Sequence, residues 1–268
     1  MPSKIVLVTG ASSGIGAACA ELLSARGYTV FGSSRSADFH PVIFRPVVMD
    51  VLNDQSVTKA VSEIVEQAGT IDVLINNAGC GLAGAIEDTS TEEALHQMNV
   101  NFMGAFHVTK AVLPAMRQHH SGIIVNVSSL GGRFGLPFQG FYSASKFALE
   151  GWTESLSYEV RPFGIRAALV EPGDVRTGFT GNRMVAAAGN RNSVYAASFA
   201  RCLRVIENEE RRGVSPDMVA RLICRIVEGR ASGFRYTCGH ASQRLSAVLN
   251  RLLPANAFRR IIAHFYRL

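Results

Sequence analysis

The tightest constraint on this chain sits at its start. Lys4-Ile5-Val6-Leu7-Val8 is a short apolar run, and Thr9-Gly10-Ala11-Ser12-Ser13-Gly14-Ile15-Gly16 follows it at once. Helix-forming residues then run from Ala17 to Ala25. A short continuous apolar run is what a strand buried on both faces requires. Strand, glycine-rich turn and helix, in that order, let the backbone approach a pyrophosphate closely. The helix start adds free N–H groups and the positive end of the helix dipole. The glycines stand at 10, 14 and 16, which departs from the G-x-G-x-x-G spacing.

The alternation continues along the chain. Strand-like segments fall at 5–8, 29–33, 47–49, 73–76, 122–127, 166–171 and 234–237. Helical patterns fall between them at 16–26, 54–68, 91–116, 142–161 and 216–228. Such alternation predicts a parallel sheet with helices on both faces. No repeat or long linker divides the 268 residues, so one domain spanning 1–268 is expected. Residues 177–213 differ: they hold Gly178, Gly181, Gly189 and Gly213, small polar residues and a helical stretch near 195–207. A long insertion outside a sheet is either a functional loop or a plain surface excursion.

Hydrophobic residues make up 47% and charged residues 18%, values of a soluble globular chain rather than a disordered one. No apolar run reaches the ~20 residues that span a bilayer. The first strand begins within a few residues of Met1, which leaves no room for a signal peptide. The five cysteines, Cys19, Cys80, Cys202, Cys224 and Cys238, are scattered and lack C-x-x-C spacing. We therefore expect no metal site, no disulfide framework and a cytoplasmic location.

The net charge is +6, and no Asp or Glu follows Glu228, whereas seven arginines do. The basic end is either a solvated surface or a match for an anionic membrane or an acidic substrate. No nucleic-acid motif accompanies it, so no nucleic-acid partner is expected. Within this tail (240–268), Leu245, Val248, Leu249 and Leu252 follow i, i+3, i+4, i+7. Pro254 breaks the run, and a second short helix begins near Ala257. Such helices dock on their own domain, on a partner subunit or on a membrane surface; this tail is expected to cover one side of the substrate entrance and to make peripheral contact with anionic lipid.

Tyr142 and Lys146 lie four apart at the start of a helical pattern, so both point to one face. A phenol, near pKa ~10, is a poor acid or base at neutral pH. A nearby ammonium lowers that value. The pair is therefore expected to move a proton to or from an alcohol or carbonyl oxygen.

Thr9-Gly10-x-x-x-Gly14-x-Gly16, Asn76-Asn77-Ala78-Gly79, Ser129, Tyr142-x-x-x-Lys146 and Pro172-Gly173 stand in the order and spacing of the short-chain dehydrogenases/reductases. The resemblance covers roughly residues 3 to 180 and is to the compact single-domain branch. In overall pattern the chain looks most like members acting on steroids, retinoids and other lipophilic ketones or alcohols, of the 17β-hydroxysteroid and retinol dehydrogenase type. The resemblance implies a doubly wound α/β Rossmann-type domain with a seven-stranded parallel sheet in the order 3-2-1-4-5-6-7. It places a substrate lid at 177–213 and implies a homodimer or homotetramer.

It also implies roles for particular residues. Gly10, Ser12, Ser13, Gly14, Ile15 and Gly16 hold the cofactor pyrophosphate region. Asn77, Ala78 and Gly79 contact the cofactor, and Asp50 and Val51 touch the adenine, although Asp50 equally suits a cap beside the next helix. Pro172, Gly173, Val175 and Thr177 flank the nicotinamide. Ser129, thirteen residues before Tyr142, orients the substrate oxygen, with Ser128 as its rival. Asn101 is the fourth catalytic member, binding a relay water with Lys146; the alternatives are a helix kink at that position and a role for Asn99 instead.

The end of the second strand bears on cofactor choice. It reads Gly32-Ser33-Ser34-Arg35-Ser36, where an acid would accept hydrogen bonds from the ribose hydroxyls of NAD. Arg35 can pair with a 2′-phosphate, and Ser34 and Ser12 can donate to it. Asp38 lies past the arginine. NADP(H) is the expected cofactor; otherwise Arg35 points to solvent.

Leu82, Leu130, Phe134, Leu136, Phe138, Phe141 and Phe179 fall on loops near the expected site, as pocket lining or as core. The expected reaction is interconversion of a lipophilic ketone or aldehyde with its alcohol. The alternatives are a β-ketoacyl or polyketide ketoreductase and a non-catalytic NADP-binding regulatory protein.

Overall fold

The computed structural model describes residues 3–36, 39, 42–188 and 193–268. Asp38 and Gly189 lie outside the described residues. Numbering the strands of the main sheet in chain order gives β1 (Ile5–Thr9), β2 (Thr29–Ser34), β3 (Arg45–Val48), β4 (Val73–Asn76), β5 (Gly122–Val127), β6 (Ile165–Pro172) and β7 (Arg235–Cys238). They pair in the order 3-2-1-4-5-6-7, and every pairing is parallel. This is the Rossmann-type sheet expected. The edge strand β3 begins two residues earlier than predicted, because Arg45 and Pro46 add to the ladder with β2. Both are exposed there, so hydrophobicity gave no signal for them.

Side-chain alternation along the strands builds the two outer layers. Val6 and Val8 of β1 lie with Val73 and Ile75 of β4 on one face, under α1 (Gly14–Ala25) and α7 (Pro216–Val227). Leu7 and Leu74 lie on the other face, under α2 (Asp54–Ala68), α4 (Gly104–Gln118) and α5 (Gly140–Val160). With both faces covered, the strands must be continuously apolar.

The predicted helix over 91–116 is interrupted. After α3 (Thr91–Met98), residues Asn99–Met103 form a π-helical turn before α4 begins. Asn101 sits in that turn and is buried, so the polar interruption of the pattern coincides with a change of helix type. Single π turns within α-helices occur mostly at functional positions.

Residues beyond β6 leave the sheet and return to it. Val175 and Val214 form a parallel bridge that closes the base of the excursion. Met184–Val185 pairs with Leu82–Ala83 in a two-residue parallel ribbon, and α6 (Ala196–Arg211) follows. Phe199 of α6 packs its ring against Phe138, centroids 5.5 Å apart. The excursion is thereby held against the loops after β4 and β5.

The tail forms two helices, α8 (Ala241–Leu252) and α9 (Ala255–Phe265), with Pro254 at the junction as its sequence position requires. They dock on the domain. Ala247 and Phe258 join Leu130 and Phe134 in a separate apolar cluster, and the Phe134 and Phe258 rings meet edge to face at 5.0 Å. Asn250 Nδ2 donates to the Arg133 carbonyl at 3.0 Å. No helix of the described residues is long and apolar enough to cross a membrane.

Candidate active site

The sheet order reverses between β1 and β4, and open α/β sheets bind ligands outside the carboxyl ends of strands at such a point. A cavity of about 920 Å³ lies there. It is lined by all the residues predicted to touch the cofactor except Gly16, and by Ser129, Tyr142 and Lys146.

Gly16 acts from behind the wall. A Cβ at that position would lie 2.2 Å from the Gly10 carbonyl oxygen, so only glycine lets α1 press on the turn. Gly14 lines the cavity and takes φ 58°, a left-handed backbone that favours glycine. Ser13 is the N-cap of α1, yet its side chain makes no capping bond, and the first turn carries no acid. The orphan N–H groups of that helix end therefore face the cavity without a side-chain anion, which fits a phosphate group.

The Asn77 side chain does structural work that its motif had not revealed. Its Nδ2 donates to the carbonyls of Thr9 and Gly10 at 3.0 and 3.1 Å. Thr9 Oγ1 in turn accepts from the backbone N–H groups of Asn77 and Ala78 at 2.9 and 3.0 Å. Thr9 thus pins β1 to β4 at the switch point. It stood in the motif, but no role was assigned to it. Asp50 Oδ1 accepts from Leu52 N at 3.0 Å, so the carboxylate shapes the turn before α2 while lining the cavity. Arg35 and Ser34 line the cavity beside Ser12, and the Arg35 side chain is exposed.

At the other end, Ser129 caps a short 3₁₀ turn (Leu130–Gly132), and its Oγ accepts from Gly131 N at 3.0 Å. Its hydroxyl lies on the side of the Tyr142 phenol, where it favours the phenolate. Ser128, its rival, lines the same cavity, but it is buried and its Oγ has no hydrogen-bond partner among the described residues. Lys146 is buried and donates from Nζ to the Val127 carbonyl at 2.9 Å. Burial pushes the Lys146 ammonium down to about 8. Burial also pushes the Tyr142 phenol up to about 12, against the opposing pull of the Ser129 hydroxyl. This corrects the expected lowering of Tyr142 by Lys146: desolvation outweighs charge here, and the ammonium is spent on a backbone carbonyl.

Asn101 does not line the cavity. Its Oδ1 accepts from Cys80 N at 2.8 Å, and its Nδ2 donates to Cys80 O and Ser145 Oγ at 3.1 and 3.0 Å. Ser145 Oγ donates to the Tyr142 carbonyl at 2.7 Å. The π turn therefore clamps the segment after β4 to the first turn of α5, where Tyr142 and Lys146 stand. Asn99 plays no part in this clamp.

Of the seven apolar loop residues, Leu130, Phe134, Leu136 and Phe179 line the cavity. Leu82 is in the ribbon, Phe138 packs on Phe199, and Phe141 borders a shallow depression elsewhere. The remaining wall comes from the two segments expected over the substrate entrance, although no single residue of either was named as lining. The excursion contributes Ile206, Glu209 and Glu210, and the tail contributes Leu249, Phe258, Ile262 and Tyr266. Asp174, next to Pro172-Gly173, also faces inward; burial and the nearby Glu210 and Glu209 push its carboxyl up to about 7. Gln243 of α8 donates to it at 2.5 Å. Arg183 pairs with Glu210, and Thr180 donates to the same carboxylate at 2.7 Å.

A buried charge cluster supports this end of the sheet. Glu171, fully buried just before Pro172, meets Arg133 at 3.3 Å and accepts from Thr237 at 2.8 Å. Arg235 lies 3.0 Å from Glu150 and 2.7 Å from Glu154. One of the seven arginines after Glu228 thus reaches these acids from the surface and fastens β7.

A switch-point cavity with a glycine turn at one end and a serine, a tyrosine and a lysine at the other is the site of a dinucleotide-dependent oxidoreductase. The chain belongs to the short-chain dehydrogenase family, whose sequence profile matches residues 4–187, and it acts on CH–OH/C=O groups. It is 47% identical over 266 residues to a 3-ketodihydrosphingosine reductase of Bacteroides thetaiotaomicron, covering 99% of each chain. It superposes on a short-chain dehydrogenase of Streptomyces avermitilis with TM-score 0.84 and 29% identity, covering 99% of this chain and 97% of that one. Similar structures from Burkholderia hold either cofactor. The B. phymatum protein is in complex with NAD (27% identity, TM-score 0.77, 93% and 95% covered), and the B. cenocepacia protein with NADP (26%, 0.75, 97% and 97%).

Proposed function

We propose that this chain is an NADPH-dependent ketoreductase for a long-chain lipophilic ketone, with a sphingoid 2-amino ketone of the 3-ketodihydrosphingosine type as the first candidate. The observation that carries this is one cavity in which the phosphate-binding turn, the Ser129–Tyr142 pair and an apolar wall of loop and tail residues face one another. The near full-length similarity to the Bacteroides reductase supports it. So does the polarity of the wall: Glu209, in no ion pair among the described residues, offers a carboxylate to a substrate ammonium, while Leu249, Phe258 and Ile262 suit an alkyl chain.

A nicotinamide cofactor supplies the hydride when bound. Tyr142, held protonated by burial, donates its proton to the carbonyl oxygen. Ser129 orients that oxygen and stabilises its developing charge. Lys146 brings a positive charge to the same cavity, and Asn101 holds the helix turn of Tyr142 through Ser145. Arg35, with Ser34 and Ser12, is the group that would read a 2′-phosphate. Following NADPH absorbance tests the substrate reading against 3-ketodihydrosphingosine, steroids, retinal, aryl ketones and β-ketoacyl thioesters. The long-chain amino ketone is expected to turn over fastest, and a faster β-ketoacyl thioester overturns the reading.

The low value at Lys146 has a consequence for pH. The ammonium is charged below about 8 and neutral above it, while Tyr142 stays protonated throughout that range. Reduction, measured as kcat/KM, is expected to hold up to that pH and decline above it. A profile flat through that pH would show that Lys146 keeps its proton or that its charge is not needed.

A further inference from the structure

The docked tail leaves a second apolar face uncovered. On α8, Leu245, Val248 and Leu252 are 54%, 51% and 72% exposed, at i, i+3 and i+7. On α9, Ile261 and Phe265 are 47% and 49% exposed. These two also line the cavity, so they stand at its mouth. The arginines at 244, 251, 259, 260 and 267 are exposed, and none joins an ion pair among the described residues. No acid lies on either helix.

Apolar groups and unpaired cations side by side, without acids, complement one surface chemistry: a layer of anionic headgroups over acyl chains. A second copy of this face is a poor match, because a two-fold contact would set arginines against arginines. We propose that α8 and α9 seat on an anionic bilayer surface, and that a lipophilic substrate passes from the bilayer into the cavity between Ile261 and Phe265 and the excursion. The delivery half of this rests on the function proposed above; the membrane half does not.

Flotation with vesicles of phosphatidylcholine plus phosphatidylglycerol, and of phosphatidylcholine alone, tests the membrane half without substrate. Binding is expected to the anionic vesicles at low salt and to fall at high salt. The Arg244→Glu/Arg251→Glu variant should bind about tenfold or more weakly, with unchanged circular dichroism. The Leu245→Ser/Val248→Ser/Leu252→Ser variant should also lose binding. The proposal is overturned if the wild-type protein does not float, if neither variant weakens flotation, or if the serine variant changes only self-association in sedimentation velocity. For delivery, both variants should slow reduction of a long-chain ketone embedded in anionic vesicles and leave a short water-soluble ketone unaffected. Equal rates on the embedded ketone would discard delivery. A protein that floats but reduces neither ketone would refute the function alone.

Discussion

Tyr142→Phe is expected to leave cofactor binding nearly intact and to cut turnover by about 10²- to 10⁴-fold, the usual range for a lost general acid. The ring stays in its packing, 6.0 Å from the Phe179 ring centroid, so the fold should not change. The only group removed is the hydroxyl that Ser129 meets and that burial keeps protonated. Steady-state rates and fluorescence titration of NADPH on the same preparation separate the two effects. A variant that retains a near wild-type rate would end the proposed role of Tyr142 as proton donor.

The second large effect is expected at Arg35. Arg35→Ala should weaken NADPH about tenfold or more and leave NADH almost unchanged. A charge-assisted contact to the 2′-phosphate contributes roughly 1.5 to 3 kcal/mol, and only NADPH carries that group. The side chain is exposed, so its truncation should leave the fold intact. Equal losses for both cofactors would show that Arg35 does not read the phosphate. Similar solved structures hold NAD in one case and NADP in another, so the shared sheet by itself does not fix the choice.

Much of the site was legible because its chemistry is local. Gly10 and Gly14 declare a turn between an apolar strand and a helix. Tyr142 and Lys146 share a face at i, i+4 wherever their helix lies. The inner strands were readable because a sheet covered on both faces forces unbroken apolar runs; the largest early start, two residues, was at β3, on the exposed edge, and β6 began one residue early. What spacing could not convey was which atoms would be spent on the protein itself. Asn77 reads as a cofactor contact, yet its amide is tied to Thr9 and Gly10. Asn101 reads as a polar interruption of a helix, and the π turn makes it a clamp between Cys80 and Ser145.

By itself, the sequence determined the fold class, the family's catalytic and glycine motifs, and the basic, acid-free character of the tail, because these depend on residue type at short separation. The tertiary structure alone decided the environment of those residues. Burial raised Tyr142 and lowered Lys146, reversing an expectation based on charge, because desolvation depends on everything packed around a group. Arg235 was paired with Glu150 and Glu154 while five other tail arginines are in no ion pair among the described residues. Phe258 and Tyr266 came to wall a cavity more than a hundred residues away from Ser129 and Tyr142. Contacts across that distance depend on the path of the chain, which no local pattern encodes.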